Sequence, residues 1–506
     1  MTVNANLFAR LQASFEKHAN RVAIETPAGQ IYDYADLERE AGRYAGFLRA
    51  QGVQQGDRVA VQVEKSPESL FLYLACLQAG AVYVPLNTAY RPAELSYFLG
   101  DAQPALMVST KALQSDVEAL ARQHQLQTKV FSLDSDGTGS LATTLAGSPA
   151  STQITAATAD DLAVIIYTSG TTGRSKGAML THRNLTSNAE TLIWYWGFSR
   201  DDVLLHALPI FHVHGLFVAN HCALLSGAKM LWHARFDARA AIADLSRATV
   251  MMGVPTFYTR LLAEASFDRT SCANIRLFIS GSAPLLADTY ETFQRRTDHA
   301  ILERYGMSET GMITSNPLRG ERRAGTVGLP LPGIEVRITD ASDATLAIGE
   351  TGGIQVRGDN VFAGYWRNPE KTREEFSAGG WFRTGDVGVF DRDGYLAIVG
   401  RAKDLIITGG YNVYPKEIEL VIDALPGVIE SAVVGIAHPD YGEAVTAVVV
   451  LSAAADAPSE GELIAHLKVQ LAGYKVPKRV HFVADLPRNA MGKVQKNVLR
   501  EKLTGK

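Results

Sequence analysis

The sequence predicts an α/β protein in two parts: a large layered N-terminal domain over residues 1–400 and a small α+β C-terminal domain over residues 404–506. Three observations lead there. A chain of 506 residues is too long for one hydrophobic core, so two or more domains are expected. From residue 22 to residue 108 short β-rich runs alternate with helical stretches, the pattern of a largely parallel sheet covered by helices. The boundary falls at Gly400-Arg401-Ala402-Lys403-Asp404, beyond which the rest of the chain reads as a small α+β domain of helices and strands.

Taken in order, Leu7, Phe8, Leu11 and Phe15 recur at helical spacing. Val22-Ala23-Ile24 and Gln30-Ile31-Tyr32 flank Pro27-Ala28-Gly29 and read as a hairpin. Residues 34–51 form a helix closed by Gly52, 57–63 a strand, 67–80 a helix, 82–86 a strand, 92 onward a helix and 105–108 a strand. Residues 134–158 are rich in Ser, Thr, Gly and Ala and belong on the surface. The apolar run 162–166 reads as a buried strand, then 182–196 as a helix and 203–209 as a strand. Val250 to Val254 is a strand leading into a helix that carries Arg260 in its second turn. Leu277-Phe278-Ile279-Ser280 is a strand running into the small-residue loop Gly281-Ser282-Ala283-Pro284. The C-terminal part holds a helix at 415–425, strands at 431–436 and 444–451, and a polar Ala-rich loop at 452–460.

A net charge of −4, with 20% charged and 46% hydrophobic residues, gives no electrostatic reason to expect nucleic acid or an anionic membrane as partner. The cysteines Cys76, Cys222 and Cys272 are far apart and match no metal spacing, which suits a reducing, cytoplasmic setting. The first eighteen residues lack an apolar signal core, and no apolar run approaches the length of a membrane span.

The stretch that carries chemistry is Tyr167-Thr168-Ser169-Gly170-Thr171-Thr172-Gly173-Arg174-Ser175-Lys176-Gly177. Glycines let successive N–H groups face one anion, and hydroxyls and cations add donors, so this loop reads as a phosphate cradle. It does not fit the G-x-x-x-x-G-K-[ST] spacing. Alone it could be an ordinary flexible turn. His212 and His214 could ligate a metal, but no third ligand is near, and packed imidazoles are the favoured reading.

With Tyr305-Gly306-Met307-Ser308-Glu309, Thr384-Gly385-Asp386 and Pro487-Arg488-Asn489-Ala490-Met491-Gly492-Lys493 following in order, the chain resembles the adenylate-forming superfamily of acyl-CoA synthetases, peptide-synthetase adenylation domains and luciferases. The resemblance implies a mobile C-terminal domain, a hinge at 401–403 with Lys403 as its pivot, and ATP, Mg²⁺ and coenzyme A as co-substrates and cofactor. It implies that Thr168, Ser169, Gly170, Thr171, Thr172, Gly173 and Lys176 hold the phosphates. Ser282, Ala283, Pro284, Tyr305 and Gly306 would meet adenine, Ser308 a phosphate, Asp386 the ribose diol, and Arg401 would complete the nucleotide site. Glu309 would hold the magnesium, Lys493 would polarise the reacting oxygens, and Gly409 and Gly410 would line a pantetheine tunnel.

The pocket segments add His212, Arg260, Ser280, Arg304 and Met307. A fatty-acyl pocket should be apolar, whereas an arginine presents a planar fork suited to a second carboxylate. Either arginine could instead be structural. The wording around 252–260, 302–307 and 485–497 is similar to that of malonyl-CoA synthetases, which implies malonate as the acid, methylmalonate as a slower one, and Arg260 as first choice for the distal carboxylate. A synthetase for a monocarboxylate and a stand-alone module loading a carrier protein are the alternatives. A lysine acetyltransferase acting on Lys493 would be a further partner.

Overall fold

The computed structural model describes residues 4–168, 175–408, 411–439, 441–452, 458–489 and 492–504. Ser169, Gly170, Thr171, Thr172 and Gly173 of the phosphate loop and Gly409 and Gly410 of the expected tunnel therefore lie outside the described residues.

Two large sheets form the N-terminal body. In the first, Val22–Glu25, Lys229–Trp232, Val203–His206, Val250–Gly253, Leu277–Ser280 and Leu302–Met307 run parallel, with antiparallel strands at both edges. The second runs parallel through Lys129–Ser132, Leu106–Ser109, Arg58–Gln62, Val82–Pro85 and Leu162–Thr168. Its last strand then turns back as Lys176–Thr181, antiparallel. The strands on either side of the phosphate loop therefore pair with each other; the sequence reading had a strand only before it. The pattern 176–181 is short and carries Lys176 and Thr181, so period-two reasoning had little to hold.

The helix Pro67–Ala79 shows why these sheets stay together. Its sequence is apolar all round, with Leu70, Phe71, Leu72, Leu74 and Leu77 on every face, so it can be stable only if enclosed. It is buried along nearly its whole length and shares one core with strands of both sheets. Each such side chain contributes about 1.5–3 kcal/mol on burial. Ser66 caps its start with a reciprocal bond to Ser69, and Gly80, at φ 72°, ends it in the left-handed region.

A smaller antiparallel sheet of Ile334–Thr339, Gly352–Gly358, Phe382–Phe390 and Leu396–Arg401 closes the N-terminal part. After the short turn Ala402–Asp404 a separate sheet begins at Ile406–Thr408. There Val428–His438 and Gly442–Leu451 pair antiparallel, and Arg479–Val483 joins in parallel. Its core of Ile406, Val413, Ile418, Val433, Val445 and Leu463 is its own. Among the described residues, no helix is long and apolar enough to cross a membrane.

Candidate active site

The functional side chains gather at the C-terminal ends of the parallel strands, where open α/β sheets bind ligands. Gly253, Ser280 and Glu303 stand level on three adjacent strands. Arg304 is the next residue, and strand alternation turns it to the face opposite Glu303. Its guanidinium lies against Gly281: a Cβ built there would sit 2.5 Å from Arg304 Cζ, so only glycine leaves room. Gly281 closes the strand Leu277–Ser280, and Ser282 follows at φ 73°. The Ser282 hydroxyl lies 3.3 Å from His214 Nδ1. His214 opens a π-helical stretch, His214–Ala219, that the sequence does not announce.

This cluster is buried and polar, and much of it is unsatisfied. Arg304 Nε and Nη2, Ser280 Oγ, His212 Nε2 and His214 Nε2 lack hydrogen-bond partners among the described residues. Unmet buried donors are costly and rare. Burial without a counter-ion pulls the Arg304 guanidinium down to about 9. Burial also holds His212 down at about 4, and His214 well below its usual value with help from Arg304, so both rings are neutral near pH 7. Arg304, lodged against Gly281 and near enough to His214 to depress its pKa, makes a receptor for a small oxyanion, whereas Ser280, in register with Glu303, shares Glu303's face of the sheet. Met307, half-buried, ends the strand that carries Arg304.

Arg260 departs from expectation. It is exposed in the last turn of Pro255–Ala263 and has no ion pair or hydrogen bond among the described residues. Solvent screens a charge there, whereas Arg304 has the desolvation that makes an ion pair strong. The ranking of the two arginines is reversed.

A second group faces the nucleotide side. Glu309 is buried; the Tyr365 hydroxyl donates to its Oε1 at 3.1 Å, and the Thr168 hydroxyl stands 3.5 Å from the same oxygen. Burial raises its pKa, opposed by its own backbone amide and by Tyr365. Lys176 Nζ lies 5.1 Å from the centroid of the Tyr365 ring. The two contacts of Tyr365 tie Glu309 to Lys176. Asp386 accepts from the Tyr305 hydroxyl at 2.5 Å and pairs with Arg401 Nε at 2.6 Å, its cross-strand neighbour. Ser282, Ala283 and Pro284 form a partly exposed ledge of small residues. Gly306 is packed so closely that a Cβ would meet the Gly311 carbonyl at 2.1 Å. Ser308 is half-buried.

The C-terminal domain reaches this crevice. A Cβ on Gly492, at φ 73°, would touch Thr256 Cγ2 at 3.4 Å, so the loop carrying Lys493 rests on the helix Pro255–Ala263. The Lys493 surface stays open to solvent, yet protein atoms around its ammonium, and then Arg401, bring it down to about 8, with Asp386 opposing. Lys403 lies in the turn Ala402–Asp404, and Arg500 ties that turn to the last helix through Asp404 at 3.0 Å.

The site therefore presents an oxyanion pocket, a buried carboxylate beside a phosphate-type hairpin, and a lysine delivered by a separate domain. Residues 11–366 match the model of the AMP-binding enzyme family, and residues 417–493 match the AMP-binding enzyme C-terminal domain.

The chain belongs to the AMP-binding enzyme family.

This AMP-binding enzyme is similar to a feruloyl-CoA synthase from an Amycolatopsis species, 36% identical over 97% of each chain. It is similar to a malonate–CoA ligase from Arabidopsis thaliana, 34% identical over 99% of this chain and 90% of the relative. Among solved structures it is similar to ATP-bound MatB from Rhodopseudomonas palustris, 54% identical over 99% of each chain with a TM-score of 0.96.

Proposed function

We propose that this AMP-binding enzyme ligates malonate to coenzyme A through malonyl-adenylate, releasing pyrophosphate and then AMP. One observation carries the choice of acid: the buried Arg304 fork, without a counter-ion among the described residues, lodged against Gly281 and close to His214. A carboxylate entering that pocket exchanges its hydration for a guanidinium and hydroxyl donors. An acid with an apolar tail would leave the guanidinium unmatched, which disfavours a monocarboxylate such as ferulate despite the feruloyl-CoA synthase relative. Methylmalonate, one methyl larger, should be a slower substrate.

Malonate's other carboxylate attacks the α-phosphorus of ATP, and pyrophosphate leaves from the opposite side. The thiolate of coenzyme A then attacks the acyl carbon, forming the thioester and expelling AMP. Such phosphoryl transfer needs charge neutralisation and alignment more than a protein nucleophile. In this reading Asp386 holds the ribose hydroxyls, with Tyr305 and Arg401 fixing its two oxygens. Lys176 and the hairpin hold the β- and γ-phosphates, and Lys493 bridges the reacting oxygens. The buried Glu309 carboxylate, whose hydrogen-bond donors among the described residues are hydroxyl and amide groups, suits a hard divalent cation; Mg²⁺ held there would neutralise phosphate charge. Turning the C-terminal domain about Lys403 would withdraw Lys493 and admit the thiol beside Gly409 and Gly410. A cytoplasmic setting and an acetyltransferase that neutralises the solvent-open Lys493 complete the reading.

The test is AMP formation from ATP and coenzyme A with malonate, beside acetate, succinate, octanoate and ferulate. Malonate should give the highest kcat/KM; a higher value with any of the others overturns the choice of acid. Replacing coenzyme A by a carrier protein as acceptor should abolish turnover.

A further inference from the structure

A second polar group lies behind the pocket, in the seam between the two large sheets. Lys65, just past the strand Arg58–Gln62, is buried. Among the described residues its ammonium has no carboxylate partner. It donates to the His206 carbonyl at 2.7 Å, stands 3.1 Å from His206 Nδ1, and lies 4.2 Å from the centroid of the Trp232 ring. His206 and Trp232 end neighbouring strands in register, with their rings 5.0 Å apart. Desolvation holds the ammonium well below its usual pKa. An amine buried at such cost, with two acceptors and an aromatic face arranged around it, calls for a reason.

The reason lies in what His206 does with its other nitrogen. Nε2 is 3.1 Å from the Gly215 carbonyl. A carbonyl only accepts, so Nε2 bears the proton and Nδ1 offers its lone pair to Lys65. The two hydrogen bonds run in one direction, from Lys65 through the imidazole to Gly215. Gly215 is also where the chain folds back on itself: a Cβ there would lie 2.1 Å from the Pro209 carbonyl. The segment 206–215 is therefore a loop whose ends are stapled together by the His206 ring. Between and beside those anchors it carries His212 and His214, whose Nε2 atoms are among the unmatched groups of the Arg304 cluster.

We propose that Lys65 is a positioning residue for acid recognition: by holding His206 in one tautomer and orientation it fixes the loop that presents His212 and His214 to the acid. This rests on the reading that the Arg304 cluster receives the acid substrate. Lys65 touches no substrate in this account. It comes from the other sheet, and so sets the distance between that sheet and the pocket wall.

The alternative is a tie between sheets with no bearing on recognition, and the two differ in kinetics. Lys65→Met keeps the length and removes both donors. It should raise KM for the acid by about tenfold while KM for ATP stays within about twofold, because the nucleotide groups lie on other elements. His206→Gln offers an amide N–H to Gly215 and an oxygen to Lys65, and should retain most of the acid affinity. His206→Leu should match Lys65→Met, and it carries the test if Lys65→Met does not fold. Acid and ATP KM rising together, or a fall in Tm with both KM values unchanged, would overturn the proposal. The assay uses whichever acid the wild-type enzyme turns over fastest. A wild type that ignores malonate would therefore sink the choice of acid and leave the Lys65 test intact.

Discussion

Replacing Arg304 by methionine should lower activity and raise stability together. The guanidinium is buried and has no counter-ion among the described residues, and desolvation brings it from its ordinary high value down to about 9. At about 1.4 kcal/mol per pKa unit, that is a penalty on the order of 5 kcal/mol carried by the protein without acid bound. The sign follows from the direction of the shift. A basic group whose folded value is depressed destabilises the fold below that value, and relief comes only as pH climbs above about 9 toward the unfolded value. At neutral pH the full penalty is present, and methionine, apolar and of similar length, removes it. Arg304→Met should therefore raise Tm in the absence of acid.

Malonate should pay for the same change in the opposite direction. Truncating one partner of a buried charge pair costs about 2–5 kcal/mol, which is a fall of roughly 30-fold to 5,000-fold in kcat/KM. Butyrate, which lacks the distal charge, should lose much less, so the malonate-to-butyrate ratio should drop by about 30-fold or more. The assay is steady-state AMP formation with both acids, with KM for ATP as control and thermal unfolding run alongside. An unchanged ratio would refute the reasoning. So would a fall in Tm with parallel losses on both acids, because Arg304 would then be holding the Tyr305 strand in place.

Gly281→Ala leaves every charge in place yet puts a carbon 2.5 Å from Arg304 Cζ; it should displace the fork and reduce malonate kcat/KM by at least about tenfold, and wild-type kinetics would show that the fork has room. Lys493→Ala should abolish adenylation while sparing thioester formation from pre-made acyl-adenylate, and acetylated Lys493 should behave alike; equal loss in both half-reactions would make the lysine structural. Because Lys493 is brought down to about 8, its cation is present below that pH and lost above it, so kcat/KM for adenylation should fall as pH rises through 8, and Lys493→Arg should move that limb upward. Lys403→Pro, which fixes φ in the turn Ala402–Asp404, should leave adenylation active and stop thioester formation; equal losses would place the pivot elsewhere.

Much of the fold was legible because its signals are local. Alternating strands and helices from Val22 onward and the largely apolar helix at Pro67–Ala79 each follow from patterns within a few residues. The misses are where pattern and structure part. The return strand Lys176–Thr181 carries too few apolar residues in alternation to be told from loop. The π-helical start at His214 depends on the close packing of Gly215 against the Pro209 carbonyl, and no spacing rule encodes that. Tyr365 as a partner of Glu309 could not be read from any local pattern, because fifty-six residues separate them.

The two arginines show where one sequence stops being enough. Both follow a strand pattern, both have apolar neighbours, and both carry the same fork. What separates them is burial and company. Arg260 sits on a helix, where successive side chains fan around the axis and the second turn can point outward as easily as inward. Arg304 sits within an interior strand, where alternation allows only two directions and both are enclosed. One direction is taken by Glu303, itself buried and raised to about 8; the other leads to Gly281, whose missing side chain makes the space for the guanidinium. The sequence signal was present, in a glycine directly after one parallel strand and an arginine within the next. Reading it required knowing that those two strands are neighbours in register, and that pairing is a property of the folded sheet. Lys65 repeats the lesson. Its partners His206 and Trp232 are more than a hundred residues away on another sheet, so a lysine that reads as a solvated charge becomes a buried support only once the two sheets meet.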